Sequence, residues 1–135
     1  MRELTVDALV DNLPQVLAFI EEQLEACGCP FRSQMQITVA AEEIFVNIAN
    51  YAYAPGTGKA TVRVDITDSP RTAVLTFLDS GVPFDPLAKE DPDVSLSADE
   101  RKIGGLGIYM TKKTMDEVGY AYENGQNRLT LVKKL

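Results

Sequence analysis

At 135 residues, 45% of them hydrophobic and 24% charged, the chain has the size and composition of one soluble domain. A domain this long can bury roughly two thirds of the surface its unfolded chain exposes, so it needs no staples. A net charge of −7 repels a phosphate backbone and excludes general nucleic-acid binding. The absence of histidine excludes a Ser-His-Asp triad, a histidine-ligated metal and a phosphohistidine on this chain.

The N-terminus, MRELTVDALV, lacks the basic start and apolar stretch of a signal peptide, and no apolar run approaches the roughly 18 residues that span a bilayer. The expectation is a cytoplasmic chain without membrane contact. Arg2 to Val6 alternate as a short edge strand. Asp11 or Asn12 can cap a first helix with Pro14 in its first turn; Leu13, Leu17, Ile20 and Leu24 form its stripe and Gly28 ends it. Cys27 and Cys29, separated by one glycine, cannot complete a tetrahedral zinc site in a chain without histidine, and read as free thiols of a reducing compartment.

Ser33 and Gln36 fit a capping box, which starts a central helix near Ser33 and runs it to Pro55-Gly56. Ile37, Ala41, Ile44 and Ile48 keep one apolar stripe. Glu43, Asn47 and Asn50 repeat at four and three and should stand in a column, with Tyr51 directly after it. A carboxylate can take a proton and a carboxamide oxygen can bind a hard cation such as magnesium, but a merely solvated helix face gives the same pattern.

Lys59 to Asp68 alternate as a half-buried strand, Asp68 to Arg71 turn, and Thr72 to Asp79 form a more apolar and therefore more central strand. Asp79 shares the parity of Ala73, Leu75 and Phe77, which puts a carboxylate on the core face. It either caps the following turn or accepts a ligand's amino group, with Gly81 allowing backbone close to a flat ring. Leu87 to Lys102, polar and acidic, read as a long mobile loop with one short helical turn, of a length that is usually functional. Gly104-Gly105-Leu106-Gly107 then opens a helix through about Glu117, with Ile108, Met115 and Val118 on its inner side and its first N–H groups open to an anion. Gly119 to Tyr122 and Leu129 to Val132 close the chain as a hairpin turned at Asn124-Gly125. The order predicts an α+β fold: a two-layer sandwich of a mixed, mostly antiparallel sheet with helices on one face.

Neither a Walker A loop nor a GxGxxG fingerprint is present. Three stretches instead stand together: Glu43-Ile44-Phe45-Val46-Asn47, Asp79-Ser80-Gly81-Val82-Pro83-Phe84-Asp85-Pro86, and Gly104-Gly105-Leu106-Gly107-Ile108. Their order resembles the N, G1 and G2 boxes of the Bergerat (GHKL) ATP-binding fold. The compact length, the PFDP segment and Met115-Asp116-Glu117-Val118 resemble the anti-sigma factor serine/threonine kinases.

That resemblance covers nearly the whole chain and implies a single ATPase domain over residues 1–135 with ATP and Mg2+ as ligands. It implies Asn47 as the magnesium ligand, Glu43 as the base toward the attacking hydroxyl, and Asp79 as the adenine-reading aspartate. Gly81 and Phe84 would border the base; Asn50 and Tyr51 would also meet the nucleotide, although Asn50 stands where related sequences often place a basic or longer polar side chain near the phosphates and Tyr51 where they often have histidine; Ile103, Gly104, Gly105, Leu106, Gly107 and Ile108 would supply the G2 stretch, with the glycines bracketing the phosphates. The ATP lid would span about 87–103, and Thr130 would join Asp79 in holding adenine. The implied partners are a STAS-type anti-anti-sigma protein, whose serine or threonine would be phosphorylated, a sigma factor, and a second copy in a homodimer. A non-catalytic nucleotide-dependent switch and a detached histidine-kinase ATPase half are the rival readings.

Overall fold

The computed structural model describes residues 1–88 and 105–135. Five strands form one sheet in the order β1-β2-β3-β5-β4, with β1 at Arg2–Asp7, β2 at Lys59–Thr67, β3 at Thr72–Asp79, β4 at Glu117–Glu123 and β5 at Gln126–Lys134. Each neighbouring pair is antiparallel, so the sheet is antiparallel throughout and not mixed as expected. The most apolar strand, β3, lies in the middle, as a strand buried along its length should.

Three helices pack on one face: α1 at Leu13–Ala26, α2 at Phe31–Asn47 and α3 at Gly105–Thr114. Val16, Ile20 and Leu24 of α1 and Ile37, Ala41, Ile44 and Phe45 of α2 meet Val62, Val64, Leu75, Phe77 and Leu131 of the sheet. The other face carries cross-strand pairs that water can reach: Arg63 Nε to Glu3 Oε2 at 2.9 Å, Thr5 to Thr61 at 2.8 Å and Lys59 Nζ to Asp7 at 2.6 Å. Each links residues that lie opposite in the β1–β2 register.

Local chemistry moves several boundaries. The first helix buries Val16 rather than Leu13 and Leu17, which are only partly covered; Asn12 stands at its N-cap as expected, but its side chain donates to the Asp7 carbonyl at 2.9 Å and makes no capping bond. The central helix starts at Phe31, two residues before Ser33: Pro30 is its N-cap and the Pro30 carbonyl accepts from Gln34 N–H at 3.0 Å, so no side-chain capping box is used. At its other end the α-helix stops at Asn47 and widens into one π turn over Ile48–Ala52. Tyr53 fastens that turn to the sheet: its hydroxyl donates to the Lys59 carbonyl at 2.5 Å and accepts from Ser80 N–H at 2.7 Å, and its ring lies where a Cβ on Gly58 would be. The third helix ends at Thr114, not Glu117, because Asp116 N–H bonds the Val132 carbonyl at 2.9 Å and draws the chain into β4. Val118 is therefore a strand residue, opposite Leu131. The last hairpin turns at Asn124 and Gly125, both at positive φ (54° and 75°), as expected of an Asn-Gly turn.

Phe45 is fully buried where α2 meets the sheet. Phe45→Ala should lower unfolding stability by about 3–5 kcal/mol, read from the urea midpoint at unchanged m-value.

Candidate functional site

Where the end of α2 passes over the rim of the sheet, a small, largely apolar cavity opens. Its apolar walls come from Ile44, Ile48 and Ala52 on the helix side and Phe77 and Leu129 on the sheet side. The polar groups that converge on it are Asn47, Asp79, Tyr120 and Asn127.

Asp79 is the buried anchor. Its Oδ1 accepts from Gly81 N–H at 2.9 Å and from Asn127 Nδ2 at 2.9 Å. Neither bond uses Oδ2, so one acceptor atom is left for a donor in the cavity. Turn-capping and ligand-accepting, posed as alternatives by the sequence, are compatible roles for the two oxygens of one carboxylate. Gly81 has a different reason from the one expected: a Cβ there would collide with the carbonyl of Ala52, to which Val82 N–H also bonds at 2.9 Å. The glycine lets the loop close on the π turn; it is Val82 and Phe84 that line the cavity.

Asn127 is the residue the motif reading missed. It lies opposite Asp79 in the β3–β5 register, and all four of its hydrogen-bonding capacities are used. Nδ2 donates to Asp79 Oδ1 and to the Val82 carbonyl at 2.8 Å; Oδ1 accepts from Phe84 N–H at 3.1 Å and from the Tyr120 hydroxyl. The signal was available: Asn127 shares the parity of Leu129 and Leu131, the same pattern of a polar residue on an apolar face that marked Asp79. Thr130 has the opposite parity. It pairs with Thr76 on the far side of the sheet, so it does not meet Asp79, and the position expected of it belongs to Asn127.

The Glu43–Asn47 pair is present, with Asn47 Nδ2 3.4 Å from Glu43 Oε1. Asn47 lines the cavity; Glu43 is half-buried beyond it, its carboxylate pressed against Gly107 where a Cβ would be. Gly107 thus seats Glu43, in the first turn of α3, where the helix dipole favours a carboxylate. Glu42 is exposed, as its register predicts. The third member of the expected column, Asn50, is turned to solvent because the π turn interrupts the α-helical spacing after Asn47. Tyr51 is 58% exposed at the mouth, its ring centroid 6.4 Å from that of Phe84. Ile108 is buried in the core and packs rather than lines the cavity. Gly105 and Leu106 open α3; Ile103, Gly104 and nearly all of the expected 87–103 lid lie outside the described residues. Among the described residues, no cluster of three or more acidic or cysteine side chains could hold a metal by itself. Cys27 and Cys29 are free, and the Cys29 thiol is pushed up by burial and then by its neighbour Cys27. No helix among the described residues is long and apolar enough to cross a membrane.

These features coincide with a known family. Residues 6–133 match the histidine kinase-like ATPase domain, and the chain belongs to that family. It is similar to the serine/threonine-protein kinase BtrW of Bordetella bronchiseptica, at 29% identity over 100 residues, covering 74% of this chain and 70% of that protein. Among solved structures it resembles the RsbU and RsbW domains of Rv1364c from Mycobacterium tuberculosis (TM-score 0.64, 17% identity), where all of this chain spans 33% of that one. It also resembles a chain of the SiaB-SiaC complex from Pseudomonas aeruginosa (TM-score 0.60, 16% identity, covering 98% of this chain and 89% of that one). At such identities the two structures establish the shared α+β fold.

The Tyr120 hydroxyl is pushed above its ordinary value by burial first and by the nearby carboxylates of Asp85 and Asp79, with the Phe84 N–H acting the other way. The folded chain therefore keeps this proton to higher pH than the unfolded one. The associated stability is complete below the unfolded value of about 10 and is lost as pH rises through the raised value. Ultraviolet titration should show one late-ionising tyrosine that disappears in Tyr120→Phe, and that variant should lose less stability between neutral and strongly alkaline pH than the wild type.

Proposed function

We propose that this chain binds ATP with magnesium and transfers the γ-phosphoryl group to a serine or threonine of a STAS-type anti-anti-sigma protein, and that it holds a sigma factor when that partner is absent. The observation that carries the reading is the Asp79 carboxylate, buried at the end of an apolar cavity with Oδ1 satisfied and Oδ2 open. A flat heterocycle with an exocyclic amino group suits such a site, since apolar walls take its faces and the carboxylate reads its donor. Tyr51 and Phe84 at the mouth offer further aromatic surface.

The phosphates would extend toward Asn47 and the first turn of α3, where unpaired N–H groups favour anions. The donor set fits magnesium there: Asn47 spends an amide hydrogen on Glu43, and its carbonyl oxygen remains for a hard cation that takes its other ligands from phosphate and water. Bound there, the ion would neutralise charge on the transferring group. Glu43 would accept the proton of the attacking hydroxyl as its oxygen bonds the γ-phosphorus, while the bond from that phosphorus to the β,γ-bridging oxygen breaks and ADP departs with that oxygen and the electron pair. Residues 87–103, as the lid that the family likeness suggests, would exclude water from that transfer. A homodimer belongs to the same proposal.

One observation favours a second reading, a nucleotide-dependent binding switch without catalysis: Glu43 rests against Gly107 instead of lining the cavity. Transfer assays separate the two. MgATP should bind the wild type in calorimetry, and Asp79→Asn, which replaces an acceptor oxygen with a donor, should weaken it at least about tenfold. Glu43→Ala should keep nucleotide affinity within about threefold while phosphoryl transfer falls by about a hundredfold or more, the usual scale for a general base. Absence of ATP binding by the wild type would sink both readings. ATP binding with no phosphoprotein formed would leave the switch.

A further inference from the structure

Away from the cavity, α2 turns an apolar stripe to solvent. Phe31, Met35 and Val39 follow at four-residue spacing and are 75%, 50% and 61% exposed, and Met110 of α3, 47% exposed, stands across from them. Between the two helices lies a groove lined by Met35, Val39, Ala40, Met110, Thr111 and Thr114. The fold does not need this stripe: the opposite side of α2 already buries Ile37, Ala41, Ile44 and Phe45. Large apolar side chains gathered on a soluble surface mark a contact site, and paired methionines suit a partner's helix because they repack easily.

We infer that the groove between α2 and α3 docks the protein that accepts the phosphoryl group, and that it takes an amphipathic helix whose apolar face is flanked by acidic residues. The inference rests on the kinase reading above. Charge chooses the occupant. On a chain of net charge −7, the end of the groove away from Glu43 carries cations: Arg32 is exposed one turn before Met35, and Lys133 Nζ donates to the carbonyl of groove residue Thr114 at 2.7 Å, while Lys113 is turned over the Tyr109 ring, 5.5 Å from its centroid. The opposite end is acidic among the described residues, with Glu42 exposed and Glu43 half-buried. A two-fold contact with a second copy would set the Arg32 end of one groove against the Glu42 end of the other, and the dimer arm of the test separates that occupant from a partner's helix. An acidic-flanked helix meets both the apolar floor and the rim.

Position supplies the link to chemistry. Val39 lies one turn before Glu43 and Met110 one turn after Gly107, and the Glu43 carboxylate and Gly107 are in contact. The groove therefore ends at the candidate base, so a helix lying in it points one end at Glu43.

The test uses the full chain with methyl-labelled methionines and two synthetic amphipathic peptides sharing a leucine stripe, one flanked by Glu and one by Lys. The Glu peptide should shift the Met35 and Met110 methyl signals, leave buried Met115 unmoved, and bind at least about tenfold tighter than the Lys peptide. Val39→Glu, at an exposed position, should abolish those shifts while MgATP affinity stays within about twofold. With a purified STAS-type anti-anti-sigma protein as acceptor, Val39→Glu should raise its KM about tenfold at unchanged kcat. Equal binding of both peptides, no shift at Met35 and Met110, an unchanged acceptor KM, or a dimer of the free chain that Val39→Glu dissolves would each overturn the inference. Peptide docking with these shifts in a wild type that binds no ATP would overturn the kinase reading instead and leave the groove as a docking surface.

Discussion

The structure turns on one buried carboxylate. Asp79 ends the central strand on the core side, where an unpaired charge would be costly. Its neighbours are arranged to meet that cost. Gly81 folds its N–H back onto Oδ1; Asn127 comes across from β5 to the same oxygen; and Asn127 then ties Val82, Phe84 and Tyr120 into one network. The loop after β3 carries no regular backbone ladder, yet it is fixed at its base by these bonds and by the close approach of Gly81 to Ala52. Site and fold are joined here, since removing the carboxylate would unfasten the loop and empty the cavity's polar end together.

The two ends of the site are built differently. At the Asp79 end the polar atoms are saturated with one another, apart from the open oxygen, which suits a rigid, discriminating contact. At the other end a carboxylate lies against a glycine and a carboxamide touches it at 3.4 Å, a looser arrangement. A ligand with a flat aromatic part and a flexible anionic tail matches that gradient from fixed to adjustable.

Much of this was legible from period alone. The alternation of Val62, Val64 and Ile66 places β2, and parity alone puts Asp79 on the inner face. The same parity argument, applied to Leu129 and Leu131, assigns Asn127 inward and Thr130 outward; family analogy pointed to Thr130, and the two-residue period of the strand overrules it. Other features had no local signature. Ile48 to Ala52 reads as continuing helix, because an α and a π turn differ by tertiary fastening, here through Tyr53, rather than by residue type. The end of α3 was likewise decided by strand pairing with Val132, a contact distant in sequence.

The π turn has a consequence for how this site tolerates change in chain length. It accommodates five residues per hydrogen-bonded loop where an α-helix has four, so the segment from Ile48 to Ala52 holds, in effect, one residue of slack. Deleting one residue there lets the helix close up as regular α-helix without breaking its axis. Because the slack is taken up inside the turn, Tyr53 and the sheet it is fastened to keep their places, while Tyr51 and Ala52, which the wide turn itself positions, move relative to Phe84, Gly81 and Val82. A one-residue deletion in this turn thus acts on the cavity mouth alone, leaving the hydrophobic core intact while loosening the contact between helix and loop.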